Sequence, residues 1–270
     1  MKIKFFKMHG CGNDYVFIDA RSIYVKNPNE LAVFVSKRRF SVGSDGLVLI
    51  TRSNASDCGM RIYNADGSEG TTCGNALRCV AKYLYSSDSS VEKKREFKIE
   101  TLSGVRSATV IDEDTIFVEM GKAAFRADNL PPFGVLTMPY NGREFNFFPA
   151  SVGNPHAVAF VDDFNFDLNK VAEELCNGGI YPDGANVEFA VKDGDGYFVR
   201  VIERGSGETL CCGSGACAVA ATACRVGLQK FGEVPVRFKG GNLKISVDEE
   251  FNISMSGPAI FVFKGELFYE

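Results

Sequence analysis

The sequence predicts an α+β protein built as two similar domains, each a mostly antiparallel β-sheet or barrel wrapped around a central buried helix. Three observations lead there. Most of the chain consists of short β-rich runs punctuated by Gly, Asn and Asp. Two segments, residues 74–86 (GNALRCVAKYLYS) and 213–229 (GSGACAVAATACRVGLQ), have helical character with small or apolar residues, the second almost all round. A helix apolar on every side belongs inside a core. Finally, these two segments occupy matching places in an internal duplication.

In chain order, the expected strands are 15–19 (YVFID), 47–51 (LVLIT), 60–64 (MRIYN), 97–101 (FKIET) and 115–120 (TIFVEM). They continue with 156–162 (HAVAFVD), 186–191 (NVEFAV), 197–203 (YFVRVIE), 235–239 (PVRFK) and 243–247 (LKISV). A last strand over 258–268 (PAIFVFKGELF) is expected to cross back to the first half. Amphipathic helices are expected over 28–39 (PNELAVFVSKRR) and 167–177 (DLNKVAEELCN). The duplication carries an offset of 212 − 73 = 139 positions. At that offset Cys73 meets Cys212, Arg61 meets Arg200, Glu69 meets Glu208 and Gly74 meets Gly213. The segment GCGNDYVFID (10–19) likewise resembles SVGNPHAVAFVD (151–162). The expected domains are 1–118 with 260–270, carrying Cys73, and 119–259, carrying Cys212.

Composition removes several function classes. A chain of 270 residues, 45% hydrophobic and 24% charged, can bury ordinary cores. Its net charge of −4, with no run of Lys or Arg, argues against nucleic acid as a partner. No stretch of about 18 apolar residues is present to span a bilayer, and the N-terminus does not read as a signal peptide, so no membrane partner and a cytoplasmic location are expected. Nine cysteines in a chain of this length do not suggest a disulfide scaffold. The absence of C-x-x-C pairs, with only His9 and His156, argues against a metal site. Cys11, Cys58, Cys79, Cys176, Cys217 and Cys224 are therefore read as structural thiols, and Arg61 and Arg78 as structural partners of acidic residues.

Cys73 and Cys212 differ because each stands directly before a glycine that opens a buried helix. A helix N-terminus favours thiolate. Its exposed N–H groups also form an anion site, which glycine lets a ligand approach closely. Two such thiols, brought by duplication to opposite sides of one carbon, suit racemisation: one thiolate removes a proton and one thiol supplies a proton on the other face. The main-chain amides would stabilise the developing enediolate, each preorganised donor being worth ~3–4 kcal/mol. No cofactor, pyridoxal included, would be needed.

The blocks HGCGND, NADGSEGTTCGNALR, VGNPH, GANVEF and ERGSGETLCCGSGACA resemble, in order, those of the diaminopimelate epimerase family. The resemblance spans nearly the whole chain. It implies cofactor-independent interconversion of LL- and meso-2,6-diaminopimelate, for lysine and peptidoglycan precursors, by a homodimer. By matching position it implies that Cys73 and Cys212 are the acid–base thiols, with Cys211 only a neighbour. Gly74, Asn75, Gly213 and Ser214 would hold the reacting carboxylate. Asn64 and Glu203, with Arg204 beside them, would take the α-amino group. Asn13, Asn154 and Asn186 would grip the distal end, while His156 and Glu203 tune the thiols. Position 46, where some members carry Gln, is Gly, so only backbone could act there. Two other functions stay open at this point: another cofactor-independent amino-acid racemase on the same scaffold, and a non-enzymatic redox or metal-binding thiol protein.

Overall fold

A computed structural model describes residues 2–126, 134–177 and 180–269. In chain order its elements are β1 (Lys2–Gly10), β2 (Asn13–Asp19), α1 (Pro28–Ser36), β3 (Gly46–Thr51), β4 (Cys58–Asn64) and β5 (Glu69–Gly70). Then come α2 (Gly74–Ser87), β6 (Glu96–Thr101), β7 (Gly104–Val110), β8 (Ile116–Lys122), β9 (Leu136–Tyr140), β10 (Arg143–Ser151) and β11 (Pro155–Phe160). After α3 (Leu168–Cys176) follow β12 (Asn186–Asp193), β13 (Gly196–Glu203), β14 (Gly207–Thr209) and α4 (Gly213–Arg225). The chain ends with β15 (Gly232–Phe238), β16 (Gly241–Val247), β17 (Asn252–Gly257) and β18 (Ile260–Phe268). It forms two compact units, Met1–Glu119 with Gly257–Glu270, and Met120–Ser256.

Within each unit the strands pair in the same pattern. In the first, β1 pairs antiparallel with β2, β2 runs parallel to β3, and β3 is antiparallel to β4. In the second, β10, β11, β12 and β13 repeat those relations. The parallel pairs β4–β6 and β13–β15 also correspond. β18 returns to pair antiparallel with β1 over Lys2↔Phe268 to His9↔Ile260, as the cross-back expectation required. Ion pairs repeat as well: Arg61 with Glu69, and Arg200 Nε with Glu208 Oε1 at 2.7 Å. Each closes a short hairpin, β4–β5 or β13–β14.

The two central helices follow from their composition. Every residue of α2 from Gly74 to Ala81 is buried, and so is every residue of α4 except Ser214 and Arg225. Ala, Gly, Val and Cys leave room for β-strands to close around the helix at short range. α4 ends earlier than the expected 229: Gly227, at φ 77°, reverses the chain and Leu228 N–H donates to Ala223 O at 2.9 Å. α1 likewise stops at Ser36 rather than 39, because Lys37, at φ −62° and ψ 98°, turns to extended backbone.

Glu208 lies between Arg200 and Lys239 Nζ, the latter at 2.8 Å, and the Arg200 bond holds its carboxyl down to about 2. Since the folded carboxyl titrates below its unfolded value, its stabilisation is present above about pH 4.5 and is lost as pH falls towards 2. The residue is solvent-exposed, so screening limits the contribution to ~1 kcal/mol or less. Denaturant melts of the protein and of Glu208→Gln should differ by that amount at pH 6 and converge near pH 2. A difference independent of pH would contradict this account.

Candidate active site

Cys73 is the N-cap of α2, with φ −147° and ψ 119°. Its half-buried thiol donates a long hydrogen bond to Asn13 Oδ1 at 3.7 Å. Asn13 comes from the start of β2 and is held on both sides: its Nδ2 donates to Asp45 Oδ2 at 2.8 Å, and its Oδ1 accepts from Asn75 Nδ2 at 3.1 Å. Asn75 is in turn fixed by Arg78, whose Nη2 donates to Asn75 Oδ1 at 2.7 Å and whose Nε donates to Pro258 O at 3.1 Å. Arg78 is fully buried. Two of its bonds thus run to an amide and to a main-chain carbonyl. Gly10 makes this possible, because a Cβ there would lie 2.6 Å from Arg78 Nη2. The Asn13–Asn75–Arg78 chain therefore positions the first turn of α2 beside Cys73.

Cys212 is the N-cap of α4 and lies in a denser polar cluster. Its Sγ accepts from Gly215 N–H at 3.4 Å and from Asn186 Nδ2 at 3.9 Å, and it lies 3.5 Å from Ser214 Oγ. Asn186 also accepts the Arg204 N–H at 3.0 Å, so one amide spans the thiol and the end of β13. Glu203 accepts a hydrogen bond from the Thr209 hydroxyl. Behind them His156 Nδ1 meets Glu188 Oε1 at 2.7 Å, and His156 Nε2 meets the Asn154 amide at 3.1 Å. His156 and Glu188 are both wholly buried.

Electrostatics separates the two thiols. A helix N-terminus was expected to favour thiolate, yet both thiols titrate above their ordinary value because burial outweighs it. For Cys73, burial is opposed by the Ala76 and Asn75 N–H groups, the Tyr15 hydroxyl and the Arg78 charge. Cys212 is pushed well up, by burial and then by the negative charges of Glu203 and Glu188. Burial likewise raises the Glu203 carboxyl, with Thr209 as the strongest opposing partner.

The expected site residues thus fall into two clusters, one in each unit. Asn13, Gly74 and Asn75 gather at Cys73; Asn154, His156, Asn186, Glu203, Gly213 and Ser214 gather around Cys212. Arg204 joins through its backbone, while its guanidinium donates to Asp183 O at 2.6 Å. Asn64 lies exposed at the end of β4, where its amide donates to Ser68 Oγ at 3.0 Å. Gly46 pairs with both Tyr15 and Asn64, and its carbonyl accepts from the Ser44 hydroxyl at 2.9 Å. A side chain at 46 would meet Tyr63 O at 2.2 Å, so glycine is required there by space. Tyr15, Asp45, Arg78, Glu188 and Thr209 were not anticipated as part of these clusters. Among the described residues no group of three or more His, Cys, Asp or Glu side chains is placed to hold a metal ion, and no helix is long and apolar enough to cross a membrane.

Comparison with known proteins assigns the family. The family model described as diaminopimelate epimerase matches residues 5–126 and 148–262. A diaminopimelate epimerase of Acetivibrio thermocellus is 39% identical over 278 residues, covering 98% of both chains. One from Archaeoglobus fulgidus is 40% identical over 277 residues, covering 99% of this chain and 97% of its own. Among solved structures, a hydroxyproline epimerase from Agrobacterium vitis superposes with a TM-score of 0.76 over 98% of this chain and 92% of its own, at 16% identity. A PhzF-family phenazine biosynthesis protein of Bacillus anthracis gives 0.73 over the whole of both chains, also at 16% identity. These distant structures share the fold. Matched by the family model over most of its length, and about 40% identical end to end to such enzymes, the chain belongs to the diaminopimelate epimerase family.

Proposed function

We propose that this protein is an isomerase that interconverts LL- and meso-2,6-diaminopimelate without a cofactor, using Cys73 and Cys212 as its two acid–base groups. The observation that carries the reading is the duplicated N-cap thiol, a cysteine heading each of the two buried helices. The reaction requires the two sulfur atoms to reach opposite faces of one α-carbon. In one direction the Cys73 thiolate removes the α-hydrogen and the Cys212 thiol protonates the other face; in reverse the roles exchange. Charge accumulating on the substrate carboxylate is met by the first N–H groups of α2 and α4, at Gly74 and Asn75 and at Gly213 and Ser214. These donors are fixed before the reaction and cost no reorganisation during it.

The different settings of the thiols suit this division. A carboxylate pair near Cys212 favours the neutral thiol, a proton donor. At Cys73, neutral donors and Arg78 work against the effect of burial and pull towards the thiolate, a base. Asn64, Glu203 and Arg204 are assigned to the α-amino group, with Asn13, Asn154 and Asn186 serving the distal end of the substrate and His156 and Glu203 tuning the thiols. A single-ended amino acid would leave the distal groups unpaired, which disfavours it. The family resemblance further implies a homodimer acting in the cytoplasm.

Incubation in D2O with LL-diaminopimelate, meso-diaminopimelate and a panel of single-ended amino acids tests the assignment. Deuterium should enter the α-position of the two diaminopimelate isomers, with inversion, and the panel should remain unlabelled. Exchange into the panel alone would replace the proposed substrate with a single-ended amino acid.

A further inference from the structure

The Cys73 cluster contains a hydroxyl that the assignment above does not use. Tyr15, in the middle of β2, is buried, and its Oη lies 3.8 Å from Cys73 Sγ. It is paired across the parallel ladder with Gly46. A Cβ at position 46 would stand 3.1 Å from Tyr15 Cε1, so the missing side chain is part of what seats the ring. The ring also makes an edge contact with Phe17, at 6.3 Å between centroids. Burial, then the adjacent Cys73, holds the phenol far above its ordinary titration range, so it remains a hydrogen-bond donor at any working pH. Cys73 is thus faced by a permanent neutral donor. In the other cluster Cys212 is approached by Ser214 and Asn186 and feels nearby carboxylates.

On the reading that Cys73 is one of the two acid–base groups, we propose that Tyr15 is a positioning residue: its hydroxyl donates to Cys73 Sγ and stabilises the thiolate, with Gly46 providing the space the ring needs. The hydroxyl takes no proton from the substrate and acts only through sulfur. A hydrogen bond to a charged acceptor is stronger than one to a neutral acceptor, so the donor favours thiolate over thiol. A ring present only for packing would give none of this, since phenylalanine would fill the same volume.

The test uses the full-length protein and needs no substrate. Iodoacetamide labelling of Cys73 and Cys212, followed by peptide mass spectrometry, gives each thiol's reactivity against pH. In Tyr15→Phe the Cys73 profile should move up by about one pH unit, slowing its labelling about tenfold near neutral pH, while the Cys212 profile holds. The acid limb of the kcat/KM profile for diaminopimelate should move in the same direction. Site-specific 3-fluorotyrosine at position 15, a stronger donor of nearly the same size, should shift Cys73 the opposite way; this variant decides the matter if Tyr15→Phe does not fold. Superimposable Cys73 profiles in the wild type and a folded Tyr15→Phe, or in the wild type and the fluorotyrosine protein, would overturn the proposal. Because labelling is independent of turnover, a wild type inactive on diaminopimelate would remove the substrate assignment and leave this result standing.

Discussion

Cys73→Ser and Cys212→Ser should each lower epimerisation by about 10²–10⁴-fold, the range typical for loss of a positioned acid or base. The fold should survive, because serine is a favoured N-cap residue and both cysteines are N-caps. An alcohol is a far weaker acid than a thiol, so it supplies neither the base nor the acid at neutral pH. Isotope exchange gives a sharper criterion than turnover. In each single mutant the surviving sulfur can still take the α-hydrogen of the stereoisomer it faces and return solvent hydrogen to the same face. Exchange without inversion should therefore persist for one diaminopimelate isomer in Cys73→Ser and for the other in Cys212→Ser, and vanish in the double mutant. A single mutant that still inverts both isomers at the wild-type rate removes that residue from the mechanism.

Local chemistry made much of this legible. The glycines after Cys73 and Cys212 announce helix starts, and the small residues of 213–225 announce a buried helix, because both properties reside in the residues themselves. β1 lies outside the expected strands, although Lys2-Ile3-Lys4-Phe5 alternates outward and inward as a strand should. β10 also lies outside them; its Asn146 and Pro149 lower strand propensity, and pairing with β9 and β11 overrides them. The inner supports were the least visible. Arg78 meets Pro258, 180 residues away in sequence, and nothing local to either residue signals the other. Tyr15 sits in an apolar strand where an aromatic residue needs no further explanation, and its use emerges only when the ladder places it beside Gly46 and Cys73. The thiols' titration is half legible for a related reason: the helix N–H groups that pull both thiols down are readable from position, whereas the burial that outweighs them depends on everything that packs around them.

Glu188 should prove the most costly single side chain to lose in the second unit. It sits within a β-rich run where a carboxylate would ordinarily face water, yet it is wholly buried against wholly buried His156, 2.7 Å from Nδ1. Its Oε2 has no hydrogen-bond partner among the described residues, and Oε1 lies so close to α4 that a Cβ on Gly215 would stand 2.5 Å away. Removing one member of a buried pair leaves the other desolvated and alone, at ~3–5 kcal/mol. Glu188→Ala should therefore lower unfolding free energy by about that amount, measured by denaturant titration, and add a small cavity beside α4. Adding His156→Leu should restore a substantial part of the loss, because the stranded polar ring is then removed as well; strictly additive costs would show that the two side chains are not coupled. Glu188→Gln separates charge from shape. Loss of the negative charge that raises the Cys212 thiol should make Cys212 easier to ionise and faster to alkylate near neutral pH, even as the fold loses stability. Slower Cys212 labelling in that variant would mean that Glu188 acts on the thiol through packing instead of charge.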